Sequence, residues 1–139
     1  AHIGPELSLE RVLESDFDTL RACGLSRQKQ GYIRSLCELV VTGAVDFDHL
    51  PEDDEEAIAQ LTRIKGIGRW SAEIYLLFAE GRGDVWPAGD LAVQAGLHKL
   101  LDLPERPSEK RTRELAEAWR PHRGATAILT WHCYNNPAL

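Results

Sequence analysis

The sequence predicts an all-α fold. Three observations carry that expectation. Apolar residues recur at i, i+3, i+4, i+7 spacing through most of the chain; a Ser, Asp or Pro opens most of these runs and a Gly or Pro closes most of them; and no segment alternates apolar and polar residues with the β-branched enrichment of a strand. Ser8 caps a short helix through Leu9, Val12 and Leu13. A second runs from Asp16 and stops at Gly24. Ser26 caps a longer one whose apolar positions are Ile33, Leu36, Cys37, Val40 and Val41, and Gly43 ends it. Pro51, read as a first-turn proline, starts a helix from about Glu52 to Ile64 with Ile58, Leu61 and Ile64 on one face. After the tight connection Lys65-Gly66-Ile67-Gly68, a helix over 69–79 is expected to bury Trp70, Ile74, Leu77 and Phe78, and Gly81-Arg82-Gly83 stops it. A loop from Asp84 to Gly89 leads to Asp90, which opens a helix with Leu91, Leu97, Leu100 and Leu101 as its apolar positions. Pro104 and Pro107 bracket a linker, Ser108 starts a charged helix ending near Trp119, Pro121 breaks it, and a last helix runs from about Arg123 to Tyr134.

A chain of 139 residues has the size of one domain, so a single domain over 1–139 is expected. At this size roughly two thirds of the unfolded surface is buried on folding, and no disulfide or metal staple is required. With 43% hydrophobic and 27% charged residues the composition is that of a globular protein rather than a disordered one. No run approaches the ~18–20 apolar residues of a membrane span, and no signal peptide is visible. Cys23, Cys37 and Cys133 are too few and too scattered for a disulfide framework or a cysteine-rich metal site, and a reducing, intracellular compartment fits them best. The histidines, His2, His49, His98, His122 and His132, show no metal-ligand spacing. The absence of methionine and the start at Ala1 suggest a processed chain or a fragment.

A net charge of −6 argues, taken alone, against a nucleic-acid partner. Its distribution does not. Seven of the 22 acids, and no Lys or Arg, lie between Asp46 and Glu56; the rest of the chain holds 15 acids against 16 basic residues. The acidic block suits a solvated loop feeding a helix N-terminus, where the dipole favours negative charge.

Three features carry chemistry. The glycines of Lys65-Gly66-Ile67-Gly68 allow a tight turn whose backbone N–H groups, at the start of the following helix, form a nest for a phosphate, with Lys65 and Arg69 flanking it; a turn glycine used only for compactness is the plainer reading. Asp90 is placed either to cap a helix or to stabilise a positive charge developing on a sugar, and one carboxylate can do both. Trp70, Tyr75, Trp86, Trp119, Trp131 and Tyr134 each offer an aromatic face of the kind that attracts a cationic ring; core packing is the plainer reading for every one of them, most of all for Trp86 and Trp119.

The stretch Leu61–Trp70, followed by a helix, the loop Val85-Trp86-Pro87-Ala88-Gly89 and Asp90, resembles the helix-hairpin-helix motif of DNA repair glycosylases, with the hairpin over 52–80. Trp119-Arg120-Pro121-His122-Arg123 with Trp131 eight residues on is similar to the bacterial 3-methyladenine DNA glycosylase II family. The resemblance implies a multi-helix glycosylase fold that here lacks its N-terminal helices and their DNA wedge, which this chain's own missing segment would supply. It implies hydrolysis of the N-glycosidic bond of alkylated purines in damaged double-stranded DNA, with Asp90 catalytic, Trp70 and Trp131 in the base pocket, and Lys65, Gly66, Ile67, Gly68 and Arg69 on the DNA. Bifunctional relatives carry a nucleophilic lysine where this chain has Trp70, so a monofunctional enzyme is expected. The family also often holds a monovalent cation on hairpin carbonyls, here those of Thr62, Ile64 and Ile67; otherwise no cofactor is required, and the iron–sulfur cysteines of one branch are absent. A bacterial-type location with the nucleoid follows. The alternatives are a glycosylase for oxidised or mismatched bases, a non-enzymatic hairpin module that only binds DNA, and a small helical interaction domain with no nucleic-acid role.

Overall fold

Every regular element of the computed structural model, which describes residues 8–136, is helical. In order these are α1 (Leu9–Glu14), α2 (Phe17–Ala22), α3 (Arg27–Val41), α4 (Asp54–Leu61), α5 (Arg69–Phe78), α6 (Leu91–Leu100), α7 (Glu109–Ala116), a single 3₁₀ turn (Glu117–Trp119) and α8 (Arg123–Asn135). His2 lies outside the described residues. The expected caps are in place: Ser8, Asp16, Ser26, Asp90 and Ser108 each accept a backbone N–H from the first turn of their helix. The chain forms two compact units, one up to Gly68 and one from Arg69 on.

In the first unit α1 and α2 pack on α3, where Val12, Leu20 and Cys37 are buried; Val45, Ala57, Ile58, Leu61 and Ile64 are also buried. Two polar side chains bind the preceding segments to α3. Buried Gln30 donates to the carbonyls of Phe17 (3.0 Å) and Leu25 (3.1 Å), and Arg34 donates to those of Leu13 and Ser15. The acidic block does what the dipole argument requires: Asp53 caps α4, and Asp54, Glu55 and Glu56 fill its first turn. This corrects the expected start of that helix. Pro51 lies before the cap rather than in the first turn, because Asp53 supplies a side-chain acceptor to the Glu56 N–H and the proline does not. The far end also falls short of Ile64, which is buried in the turn instead.

In the second unit α6 packs on α8, and both α6 and the 3₁₀ turn contact α7; Ala72, Leu76, Val85, Val93, Leu97, Ala116 and Ala127 are buried. The expected face of α5 is buried only in part: Leu77 lies inside as expected and Ile74 is half-buried, but Trp70 and Phe78 face outward. Trp70 is 49% and Phe78 60% exposed, while Ala72, Glu73, Leu76 and Leu77 are buried. Glu73 can occupy an interior position because Arg69 (2.8 Å) and Arg113 (3.1 Å) both reach its Oε1. On α6 Leu97 is buried, in keeping with its apolar position, alongside Val93, Gln94 and Gly96, whereas Leu91 is 63% exposed and Leu100 and Leu101 are also exposed.

Candidate active site

Asp90 stands at the point where the loop from Asp84 becomes α6. Its backbone is extended (φ −73°, ψ 122°), the usual state of an N-cap, and Oδ1 accepts the N–H groups of Ala92 (2.9 Å) and Val93 (3.0 Å). The two tryptophans complete the set: Trp131 donates its indole N–H to Oδ1 (3.0 Å), and Trp70 donates its own to Oδ2 (2.8 Å). Partial burial pushes the Asp90 carboxyl up, but the hydrogen bonds from Val93, Trp131, Trp70 and Ala92 together outweigh it, and the group lies below the ordinary aspartate range. The carboxylate is therefore ionised at neutral pH, cannot donate a proton there, and is held in one orientation by four donors. Oδ1 is saturated by three of them. Oδ2 accepts the Trp70 indole N–H and is the oxygen with capacity left for a ligand.

The surface beside this carboxylate is aromatic. Trp131 is half-buried and its ring lies 5.6 Å from that of Phe78, tilted by 31°. Trp70, Ile74 and Phe78 follow one another at four-residue spacing along α5, a stripe that reaches from one Asp90 donor to the ring against the other. Trp86 is buried and packs on Trp119 at 5.5 Å, in the core as the plainer reading expects. Tyr134 lies under Lys99 (5.7 Å), near the C-terminal end of α8.

The loop that carries Asp90 is bound to the start of α8. Arg123 donates to both oxygens of Asp84 (2.8 and 2.9 Å), its backbone N–H adds a third bond, and Arg120 reaches the same carboxylate at 2.9 Å. These bonds, led by that of Arg123, hold the Asp84 carboxyl below its ordinary range. At the same junction the Gly124 N–H donates to the Gly83 carbonyl (2.8 Å). The sequence reading gave Phe78, Asp84 and Arg123 no part in the site. The Trp70–Ile74–Phe78 stripe was a usable signal for the first; nothing local pairs Asp84 with a residue 39 positions on.

The proposed phosphate nest belongs to the first unit up to Gly68. Gly66 has φ +89°, a conformation that favours glycine, and a Cβ built on it would lie 2.8 Å from the ring of Tyr32. The Lys65 N–H donates to Ser35 Oγ (3.0 Å) and the Ile67 N–H to the Ile64 carbonyl (3.0 Å). The Lys65 side chain is exposed. The Arg69 guanidinium pairs with buried Glu73 and stays partly exposed. Thr62, Ile64 and Ile67 fall after the last residue of α4, where carbonyls leave the helical ladder, and the Thr62 hydroxyl turns back to Ile58 and Ala59.

Residues 3–121 match the HhH-GPD superfamily of base excision DNA repair proteins. The chain is 37% identical over 124 residues to a DNA-3-methyladenine glycosylase of Schizosaccharomyces pombe, covering 88% of this chain and 54% of that protein. It resembles the crystal structure of a DNA-3-methyladenine glycosidase from Bacillus halodurans with a TM-score of 0.87 and 33% identity, covering 99% of this chain and 64% of that one. It also resembles the S. pombe 3-methyladenine DNA glycosylase in complex with abasic DNA, with a TM-score of 0.75 and 36% identity over 89% of this chain and 61% of that one. The chain thus spans between half and two thirds of the length of these relatives.

Proposed function

Because the chain belongs to the HhH-GPD superfamily, we propose that it is the hairpin-bearing catalytic part of a monofunctional DNA glycosylase that removes alkylated purines, of the 3-methyladenine and 7-methylguanine type, in base excision repair. The observation that carries this reading is the ionised Asp90 carboxylate held by two indole N–H groups beside an aromatic surface.

The chemistry follows from those groups. A purine alkylated at a ring nitrogen carries positive charge, so when the C1′–N bond breaks and its electron pair goes to the base, the base leaves neutral. The positive charge moves to the sugar. A fixed carboxylate stabilises that oxocarbenium-like centre more than it stabilises the ground state, where the charge lies on the base instead. A water oxygen then bonds to C1′ and its proton passes to solvent. Since Asp90 is less basic than an ordinary aspartate, its role is electrostatic and orienting, with Oδ2 the oxygen that faces water or sugar. Aromatic faces of Trp70, Phe78 and Trp131 suit a cationic ring flipped from the duplex.

Position 70 holds an indole, so no amine there attacks C1′. The Gly66 turn and the exposed Lys65 fit a phosphate contact with the duplex. The carbonyls of Thr62, Ile64 and Ile67, outside the helical ladder, are the oxygen donors that would hold a monovalent cation, which would add positive charge against that phosphate. A DNA substrate supports an intracellular location, at the nucleoid in a bacterial-type cell. No helix among the described residues is long and apolar enough to cross a membrane.

The test is base release from duplex DNA methylated at purines, scored with and without borohydride. Free methylated base with no trapped protein–DNA adduct is the expected result. A trapped adduct would contradict the monofunctional reading, and DNA binding without base release would leave a non-enzymatic hairpin module.

A further inference from the structure

Asp90 and Trp131 are carried by different helices. Asp90 is bound to the first turn of α6 through Ala92 and Val93, whereas Trp131 moves with α8. The gap between them is therefore set where the two helices cross. At that crossing stands Gly96, in the interior of α6, where glycine costs about 1 kcal/mol relative to alanine. A Cβ on Gly96 would lie 2.5 Å from Thr130 Cγ2 and 2.6 Å from the Thr130 carbonyl oxygen. The second contact is with backbone, which cannot rotate away. Thr130 is fully buried and its hydroxyl is tied to the Thr126 carbonyl at 2.7 Å, so it has no free direction in which to yield. Thr130 immediately precedes Trp131, whose indole bond to Asp90 is 3.0 Å long. Separating the helices to ordinary contact distance would stretch that bond past hydrogen-bonding range.

We propose that Gly96 is a positioning residue for Asp90: by presenting no side chain to Thr130, it lets α8 approach α6 closely enough for Trp131 to hydrogen-bond the carboxylate. The other charged or titratable groups nearby are unchanged by substitution at 96. On α7, Glu109 packs against Gly89, next to Asp90, and is bound to Arg113; on α8, His132 follows Trp131 and is exposed. Relevance to base release rests on the function proposed above, whereas the placement of Trp131 does not.

The experiment separates the two. In the 139-residue chain labelled with ¹⁵N-tryptophan and ¹³C-aspartate, the Asp90 carboxyl is titrated while both indole N–H resonances are followed. In Gly96→Ala the midpoint of Asp90 is expected to rise by roughly half a pH unit to one unit, the Trp131 resonance to stop following it, and the Trp70 resonance to keep following it. Trp131→Phe should raise the midpoint equally, and the double variant should add nothing. A folded Gly96→Ala chain in which Trp131 still follows Asp90, or additive shifts in the double variant, would overturn the proposal. If Gly96→Ala does not fold, Gly96→Ala/Thr130→Ser, which removes the methyl of the closer contact, carries the same expectation. If neither folds, Gly96 serves the fold alone and the proposal fails. Base release by Gly96→Ala should fall by the same factor as by Trp131→Phe. An unaltered chain that releases no base would sink the functional reading and leave the titration to judge Gly96.

Discussion

The glycine turn and the Asp90 site are built by opposite means. The turn from Thr62 to Gly68 is local: its shape comes from one positive φ and a few backbone bonds, and α3 supports it through Tyr32 and Ser35. The Asp90 site is assembled from side chains 20 and 41 residues from the aspartate, delivered by α5 and α8. A turn made of backbone tolerates most side-chain changes and is sensitive to added bulk. A site made of converging side chains is sensitive to each of them and to whatever sets the distances between their helices.

Substitutions can break or sharpen this contrast. The largest effect is expected at Asp90. Asp90→Asn removes the charge but keeps a good N-cap, so base release should fall by on the order of 10²–10³-fold or more. The melting temperature should fall only modestly, because one indole N–H then meets an amide donor. Duplex affinity should stay within about two-fold, a small change on the free-energy scale. Retained turnover would end the assignment of Asp90.

Gly66→Ala tests the other region. It places a Cβ at φ +89° and 2.8 Å from the Tyr32 ring, and should cost about 2–3 kcal/mol between backbone strain and displacement of the ring. Denaturant melts would show the loss, and titrations with duplex DNA should show weaker binding. If stability falls and affinity does not, the turn is structural only.

A smaller effect is expected from Arg113→Leu, which leaves Arg69 as the single partner of Glu73. Burial already pushes the Glu73 carboxyl up, against the pull of Arg113 and then Arg69, and losing Arg113 pushes it further. A carboxyl raised in the folded state costs stability where the unfolded chain is ionised, and costs nothing once both states are protonated. The variant should therefore lose about 1–2 kcal/mol at pH 7 and progressively less as pH falls toward the ordinary glutamate range, where Glu73 is already protonated in the folded state of both chains, as melts across that range would show. The smallest effect is that of Lys65→Ala: the slope of log affinity against log salt should become shallower by about one, with no change in melting. An unchanged slope would remove Lys65 from the DNA contacts.

Much of this molecule was legible in one dimension because its determinants are local. Five caps follow from a Ser or Asp placed before an apolar helical run, since the bond they make lies within three residues. The α5 stripe of Trp70, Ile74 and Phe78 was equally visible, but its direction was not. Periodicity shows that residues share a face and is silent on whether that face meets a core or a ligand. Here the buried side of α5 accommodates Glu73, a residue that pattern alone assigns to water, because Arg113 comes from 40 positions away. The ion pair of Arg69 with that buried carboxylate was hidden for the same reason.

By itself, then, the amino-acid sequence determined the helices, their caps, the glycine turn and the position of Asp90 at a helix start, all of which depend on neighbours within a turn or two. Only the tertiary structure decided that two indoles converge on Asp90, that Asp84 is bound to Arg123, and that Gly96 stands where α8 crosses α6. Those are distances between separate helices, and a distance between helices is set by the packing of all the side chains between them, which no local pattern encodes.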